Sequence, residues 1–252
     1  MERHGRRRLS PTYWFAVATL WPTLTVATKR DWQGTEYLRR TYPPTDGIVV
    51  AANHLSWFDP LPMCHALWNN GRPPRILVKN TLFRVPFVGS VISGAGQIPV
   101  ARDTDDAAKS VAEAVAAIAD GEAVVVYPEG TITRDEQLWP MSGRSGAARI
   151  ALESGAPVIP LAQWGPQQVM RPYRKEFRIF PRKTMHIRIG PPVDLDDLRG
   201  GPITAEKLAE ATSRILDDIT DLLAALRAEA PPEERLDFKA WKDSTSDERE
   251  QG

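Results

Sequence analysis

Residues 47–60, GIVVAANHLSWFDP, decide the fold and raise the first question about function. The run from Ile48 to Ala52 is continuously apolar, which is typical of a strand buried on both faces of a parallel sheet. A polar stretch follows, and Asp59 and Pro60 are residue types preferred at the N-cap and in the first turn of a helix. The stretch therefore predicts a strand, a loop and a helix, with His54 just past the strand's carboxyl end.

The same alternation continues along the chain and defines the fold class. Five further short apolar or β-rich runs predict strands: Arg75 to Lys79, Gln97 to Ala101, Ala123 to Tyr127, Pro157 to Leu161 and Met185 to Ile189. Helical spacing predicts helices at Thr104 to Asp120, Ser145 to Glu153 and Thr204 to Ala230. Strands alternating with helices indicate an α/β domain with a mostly parallel central sheet flanked by helices, which we predict over residues 43–230.

Composition and motifs exclude several classes of function. The 32 basic and 32 acidic residues cancel, so nothing global indicates a nucleic-acid partner. The single cysteine, Cys64, rules out an internal disulfide and a cysteine-rich zinc site. No zinc-protease motif or glycine-rich phosphate loop is present, and GRSGA at residues 143–147 lacks the last glycine of a nucleophile elbow. A covalent serine mechanism therefore has no support in the sequence.

The two ends of the chain differ in composition from the middle. Residues 1–40 hold eight arginines and lysines against three acidic residues, and they flank the apolar, aromatic run from Tyr13 to Ala27. That run is shorter than the roughly 20 apolar residues that span a bilayer. We predict that residues 1–42 form a helical segment that lies at a membrane surface, with packing on the core as the alternative. Residues 231–252 are charged, and we expect a disordered tail.

His54 and Asp59 are candidates for a catalytic pair. On one continuous helix, residues five apart are separated by about 140°, so these two side chains must instead share the loop before the helix. There, a carboxylate could fix the tautomer of an imidazole, whose far nitrogen takes a proton from a substrate hydroxyl. The plainer alternatives are a helix-capping Asp59 and a loop histidine that only hydrogen-bonds to the backbone.

Four blocks of the chain carry a resemblance to a known family. NHLSWFDP at residues 53–60 resembles the Asn-His-x4-Asp motif of the 1-acylglycerol-3-phosphate acyltransferase (PlsC-like) family. Three further blocks follow in that family's order: Lys79 to Asp103, Val124 to Asp135 with Glu129-Gly130-Thr131 at its core, and Gly146 to Ala162. One His-x4-Asp motif alone has little specificity, but the conjunction over roughly residues 47–165 is specific.

The resemblance implies roles for particular residues. His54 is expected to be the general base and Asp59 to orient it, while Arg102 is expected to bind the acceptor. Glu129, Gly130 and Thr131 are expected to bind the acceptor's hydroxyl or glycerol oxygens. Family members commonly carry a basic residue directly after Glu-Gly-Thr, where this chain has an isoleucine. Arg134 is the expected substitute, with three reserves: Lys79, Arg144 and Arg149.

The implied function is acyl transfer to a glycerolipid. A fatty acyl group would pass from a coenzyme A or acyl carrier protein thioester to the sn-2 hydroxyl of 1-acylglycerol-3-phosphate, giving phosphatidic acid in phospholipid biosynthesis. Because its lysophospholipid substrate is an amphiphile, we expect a peripheral or monotopic enzyme on the cytoplasmic face of the cell membrane. Glycerol-3-phosphate or a glycosylated phosphoinositide is the alternative acceptor. A thioesterase or lipid hydrolase and a non-catalytic phospholipid-binding protein are alternative classes.

Overall fold

A seven-stranded sheet forms the centre of the protein. The computed structural model describes residues 9–40, 42, 46–100, 105–174 and 176–250. The strands are β1 (Thr28–Gln33), β2 (Ile48–Ala52), β3 (Pro74–Lys79), β4 (Ile98–Val100), β5 (Ala123–Val126), β6 (Val158–Trp164) and β7 (Lys183–Ile189). Their order is β1-β7-β6-β2-β5-β3-β4, and every neighbouring pair is parallel except β6 and β7. The predicted α/β class with a mostly parallel sheet is confirmed.

Helices cover both faces of this sheet. They are α1 (Pro11–Ala27), α2 (Glu36–Arg39), α3 (Pro60–Asn69), α4 (Val88–Gly94), α5 (Asp105–Ala119), α6 (Gly146–Ser154), α7 (Pro166–Val169), α8 (Ala205–Arg227) and α9 (Phe238–Glu250). One core cluster joins the sheet to α5, α6 and α8, and a second joins the opposite face to α2 and α3. Because β2 and β5 are buried along their whole length, their continuous apolar sequences are accounted for.

The N-terminal segment contributes to both the surface and the sheet. Ser10 caps α1 by accepting a hydrogen bond from the Tyr13 N–H at 3.0 Å. Helix α1 buries Tyr13 and Leu24 but leaves Trp14 and Phe15 more than half exposed. No helix among the described residues is both long and apolar enough to cross a bilayer. Strand β1 also lies within the predicted segment 1–42, so that segment supplies an edge strand that the sequence did not indicate.

The C-terminal region corrects the predicted disordered tail. Residues 238–250 form helix α9, which is tied to the domain by long-range contacts. The Ser142 N–H donates to the carbonyl of Leu236, and the Phe238 N–H donates to the Ser142 hydroxyl. The ring of Trp241 lies beneath the Arg134 guanidinium at 4.8 Å. These partners are about a hundred residues away in the sequence, so local composition gave no sign of them.

Candidate active site

The loop between β2 and α3 brings His54 and Asp59 together. His54 Nδ1 lies 2.8 Å from Asp59 Oδ2. The same carboxylate oxygen accepts hydrogen bonds from the N–H groups of Leu55 and Ser56. Since this oxygen already accepts two N–H groups, His54 Nδ1 carries its proton and donates to it, which leaves the lone pair on Nε2. The predicted pairing of these two side chains is therefore present in the geometry.

The Asp59 side chain forms its hydrogen bonds with this loop and not with the N-terminus of the helix that follows it. It occupies the N-cap position of α3, yet its side chain makes no capping hydrogen bond. The carboxylate turns back towards residues 54–56, so the alternative in which the Asp59 side chain only caps the helix does not hold. The loop wraps around the carboxylate because two consecutive backbone N–H groups and one imidazole N–H all need an acceptor in a buried place.

Burial sets the electrostatics of the pair. Asp59 is fully buried, whereas the side chain of His54 keeps 17% of its surface exposed. Burial raises the pKa of Asp59, and the hydrogen bond and charge of His54 oppose that rise. A buried carboxylate is costly unless a positive partner is near, so an imidazolium that forms at His54 is favoured by its neighbour. The arrangement suits a histidine that takes up a proton during a reaction.

His54 lies on the lining of a cavity. Its ring stacks on Tyr127 with the ring centroids 4.2 Å apart and the planes 18° from parallel. Nε2 has no hydrogen-bond partner among the described residues. His54 and Tyr127 both line a cavity of about 830 Å³, which is of the size that holds an organic ligand. A substrate hydroxyl in this cavity could therefore reach Nε2.

Two kinds of side chain line the cavity. Apolar residues come from β3, β4, α5 and α6: Ile76, Leu77, Val78, Val100, Val111 and Ile150. Basic residues also line it: Lys79, Arg144 and Arg149. Arg149 pairs with Glu153 at 3.5 Å, whereas Lys79 and Arg144 form no ion pair within the described residues. A lining that combines apolar and cationic groups matches a ligand with a hydrocarbon part and an anionic part.

Glu129 does not line this cavity, which corrects the expectation that it contacts the acceptor. It is buried, and its two carboxylate oxygens accept hydrogen bonds from the backbone N–H groups of His54 at 2.9 Å and Met141 at 3.1 Å. Burial raises the pKa of Glu129 to about 8, and those two hydrogen bonds oppose the rise. The side chain thus joins the His54 loop to residues 130–141. Glu129 therefore supports the position of His54 through the His54 backbone and does not itself line the cavity.

Gly130 and Thr131 do line the cavity, next to His54. Gly130 has a φ of +69°, a conformation that side-chain-bearing residues rarely adopt. A Cβ atom at this position would lie 3.0 Å from Cδ of Arg144, whose side chain rests against the glycine. A glycine here therefore leaves room for the Arg144 side chain, which also lines the cavity. This contact and the positive φ explain why position 130 is a glycine, without any contact to a ligand.

Of the basic residues expected in the acceptor site, Arg134 is not where the sequence suggested. The Arg134 guanidinium stacks 3.4 Å from the Tyr173 ring centroid and 4.8 Å from that of Trp241, and Arg134 does not line the cavity. Its proposed role as substitute for the missing basic residue is therefore not supported by its position. Arg102 lies outside the described residues. The basic residues that do line the cavity were only reserves in the sequence analysis.

Sequence reasoning missed the residues that support His54 from β6. The Asn53 side chain donates to the Gln163 carbonyl and accepts from the Gln163 N–H at 2.8 Å. The Gln163 side chain in turn donates to the Asn53 carbonyl at 3.0 Å. A buried amide pair of this kind fixes the end of β2 against β6. Its only sequence signal is a lone glutamine within the otherwise apolar β6.

The fold and the site together define an α/β protein in which a histidine paired with a buried aspartate lines a cavity suited to an amphiphile. The Acyltransferase family model matches residues 29–164, and the chain belongs to that family. The resemblance on which the sequence analysis relied is thereby confirmed.

Individual relatives carry more specific names. The chain is 28% identical over 188 residues to the 1-acyl-sn-glycerol-3-phosphate acyltransferase of Bacillus subtilis, an alignment that covers 74% of this chain and 86% of the relative. It is 29% identical over 157 residues to the chloroplastic 1-acyl-sn-glycerol-3-phosphate acyltransferase BAT2 of Brassica napus, covering 61% of this chain and 43% of the relative. The chain thus spans less than half the length of some curated relatives.

A solved structure has the same fold. The crystal structure of the 1-acyl-sn-glycerophosphate acyltransferase PlsC from Thermotoga maritima superposes with a TM-score of 0.64. The match covers 87% of this chain and 83% of that chain at 20% sequence identity. At that identity the likeness establishes the fold alone.

Proposed function

We propose that this protein transfers a fatty acyl group from a thioester to the sn-2 hydroxyl of 1-acylglycerol-3-phosphate and so makes phosphatidic acid. The observation that carries the proposal is the His54 imidazole, which lines the cavity and is held at Nδ1 by buried Asp59, while Nε2 has no partner among the described residues. The curated relatives named above are acyltransferases for this acceptor, which supports the choice of reaction.

The proposed chemistry is general-base catalysis without a covalent enzyme intermediate. Nε2 of His54 takes the proton of the acceptor hydroxyl as its oxygen attacks the thioester carbonyl. The tetrahedral intermediate collapses by breaking the carbon–sulfur bond, and the thiolate leaves with the proton from the imidazolium. The Asp59 carboxylate stabilises that imidazolium. The Thr131 N–H, which donates no hydrogen bond within the described residues, is our candidate donor to the oxyanion.

The residues that line the cavity suggest where each part of the substrates binds. We assign the phosphate of the acceptor to Lys79, Arg144 and Arg149, since these cations line the cavity together with Thr131. Arg102 stays a proposed phosphate ligand on the strength of the family resemblance alone. We assign acyl chains to the apolar residues of the lining, which come largely from β3 and α5. The reaction as proposed needs no metal and no cofactor, and its donor is an acyl-coenzyme A or an acyl carrier protein thioester.

We place the enzyme at the cytoplasmic face of the cell membrane as a peripheral or monotopic protein. Both the acceptor and the product are amphiphiles that reside in bilayers. Helix α1 supports this placement because it exposes aromatic side chains, including Trp14 and Phe15, next to a chain end rich in arginine.

One experiment tests the reaction and His54 together. The purified protein is supplied with an acyl-coenzyme A or an acyl carrier protein thioester and with a panel of acceptors, and the lipid products are identified by mass spectrometry. We expect phosphatidic acid from 1-acylglycerol-3-phosphate, and His54→Ala is expected to lower its rate by about 1000-fold or more. His186→Ala, which removes a partly exposed histidine that also faces an aspartate, is the matched control and should retain full activity.

Other outcomes identify the rival functions. Free fatty acid released at the same rate with and without acceptor would indicate a hydrolase. Product only from glycerol-3-phosphate or a glycosylated phosphoinositide would replace the acceptor but keep the chemistry. No thioester consumption with any acceptor, or a His54→Ala rate equal to that of the wild type, contradicts the proposed enzyme.

A further inference from the structure

We propose that residues 171–182, called here the basic aromatic loop, bind the anionic surface of a lipid bilayer and hold the mouth of the cavity against it. The loop joins α7 to β7 and has the sequence RPYRKEFRIFPR. This inference deepens the membrane partner of the proposed function, but it does not depend on acyl transfer.

The composition of the loop is unusual for this chain. It holds five basic residues against one acidic residue, although the chain as a whole is neutral. The acidic residue, Glu176, pairs with Arg178 at 2.8 Å. Arg171 and Arg174 are exposed, and neither side chain forms an ion pair within the described residues. Their charge is therefore available to an outside anion.

Aromatic side chains alternate with these charges and are exposed to solvent. Tyr173 is 40% exposed, Phe177 57% and Phe180 74%. Large rings this exposed are not needed for the core. Basic residues interleaved with exposed aromatic rings are the combination that binds anionic bilayers, because the cations meet lipid phosphates while the rings enter the interfacial layer.

The loop is fixed to the candidate active site at its first half. The Tyr173 hydroxyl donates to the Ile132 carbonyl, and the Tyr173 ring meets the exposed ring of Trp57 edge to face at 6.0 Å. The Ser56 hydroxyl donates at 2.6 Å to the carbonyl of Met170, which directly precedes the loop. Tyr173 and Trp57 both line the cavity beside His54. A bilayer that meets this loop therefore lies next to the entrance for a lipid substrate.

The second half of the loop joins it to helix α1. The Arg182 guanidinium donates to the carbonyls of Thr25 at 3.2 Å and Thr28 at 2.7 Å. Leu24 of α1 and Ile179 of the loop share one hydrophobic cluster with Phe58. The loop is thus continuous with the end of α1, where Val26 is 72% exposed. Together these elements form one apolar and cationic surface beside the cavity.

An anionic bilayer fits this surface better than an acidic protein does. An acidic carrier protein would pair with the arginines, but it would leave exposed phenylalanine rings without a matching partner. A bilayer interface satisfies both groups at once. Lipid binding also accounts for the attachment of the loop to both α1 and the cavity rim.

The test is flotation of the full-length protein with lipid vesicles. Vesicles of phosphatidylcholine alone are compared with vesicles that contain phosphatidylglycerol at about a third of the lipid. We expect the wild-type protein to bind the anionic vesicles more tightly, and Arg171→Gln with Arg174→Gln to weaken that binding at least tenfold, since each interfacial basic residue contributes about this order of affinity. Phe180→Ala is expected to weaken binding to both kinds of vesicle.

A matched control removes the same charge elsewhere. Lys109→Gln with Lys207→Gln alters α5 and α8, which pack on the opposite face of the sheet from α2 and α3, and should bind as the wild type does. Thermal unfolding of each variant shows whether it is folded. Equal binding by the loop variant and the wild type, or an equal loss in the control, would overturn the proposal.

Further arms separate this proposal from the proposed reaction and from a protein partner. His54→Ala is expected to bind vesicles as the wild type does, so vesicle binding is measured whether or not acyl transfer occurs. If transfer occurs, the loop variant should lose activity on acceptor in anionic vesicles and keep it on a short-chain, water-soluble acceptor. Unchanged vesicle binding with weakened binding of an acyl carrier protein would assign the loop to a protein partner and refute lipid docking.

Discussion

Two histidine–aspartate pairs in this protein have nearly the same length and different surroundings. His54 Nδ1 and Asp59 Oδ2 are 2.8 Å apart, and His186 Nδ1 and Asp31 Oδ2 are 2.7 Å apart. In the first pair the histidine is 17% exposed and the aspartate fully buried, whereas in the second the exposures are 36% and 43%. The distance alone would not tell them apart.

The supporting hydrogen bonds distinguish the two pairs. Asp59 also accepts hydrogen bonds from two backbone N–H groups, and the backbone N–H of His54 donates to the buried Glu129 carboxylate. Asp31 and His186 are cross-strand partners on β1 and β7, at the edge of the sheet, where solvent competes for both. Burial and backbone support thus hold the first pair in one geometry, as the proposed general base requires, whereas the second is a partly exposed ion pair.

The charge of Asp59 should matter more than its shape. In Asp59→Asn, the amide oxygen can still accept the loop N–H groups, but the negative charge that stabilises the His54 imidazolium is lost. We expect the rate of acyl transfer to fall about 1000-fold with little change in the melting temperature. Steady-state kinetics and thermal unfolding check this. Asp31→Asn is the control, and equal losses in the two variants would show that the buried pair has no special role.

Removing the Asp59 side chain altogether should destabilise the protein. Asp59→Ala leaves the N–H groups of Leu55 and Ser56 buried without an acceptor. Because each such group costs the free energy of its lost hydration, we expect a loss of about 3 kcal/mol in the free energy of unfolding. Urea denaturation measures it. A loss below about 1 kcal/mol would mean that the loop rearranges and that the carboxylate does not hold it.

Glu129, which supports the same loop, should make a pH-dependent contribution to the free energy of unfolding. Burial holds its pKa at about 8, against an ordinary value of 4.5, so the folded protein binds this proton more tightly than the unfolded chain. Stability contributed by the protonated group is therefore lost as the pH rises from about 4.5 to about 8. Glu129→Gln removes this dependence and one backbone acceptor, at a cost of about 2 kcal/mol at pH 5.

The gap in unfolding free energy between the wild type and Glu129→Gln should accordingly narrow from pH 5 to pH 9. Urea denaturation at three pH values across this range measures it. The exposed Glu136, changed to Gln, is the control and should show no such trend. A gap that widens with pH would show that Glu129 is held as the carboxylate instead.

The exposed pair should contribute least. Both Asp31→Ala and His186→Ala are expected to change the free energy of unfolding by less than about 1 kcal/mol and to leave activity unchanged, because solvent-exposed ion pairs contribute little. Their double-mutant cycle gives the coupling energy directly. A coupling as large as that between His54 and Asp59 would remove the distinction drawn between the two pairs.

Some features of the fold and site followed from local sequence. Strand β2 runs from Ile48 to Ala52 as predicted, since five apolar residues in succession can be satisfied only by burial on both faces. Helix α3 begins at Pro60, whose fixed φ suits a first turn. His54 therefore had to lie at the carboxyl end of a central strand.

Other features depended on residues far apart in the sequence. Strand β1 has a largely polar sequence and is a strand only because β7 pairs with it at the sheet edge. Helix α9 is polar except for a few rings, and its placement depends on contacts such as that of Trp241 with Arg134. Neither partner could be inferred from spacing or composition.

The α/β class, the position of the His54–Asp59 loop and the family of the chain all follow from the sequence. These rest on burial periodicity and on motifs whose parts are close together in the chain. Three features depend on tertiary contacts: Asp59 accepts hydrogen bonds from the loop instead of capping the helix, Glu129 accepts the backbone N–H of His54, and Arg134 packs on Tyr173 and Trp241 instead of lining the cavity. Each of these features depends on which hydrogen-bond or ring partner a side chain has. That partner is set by packing between elements that are distant in the sequence.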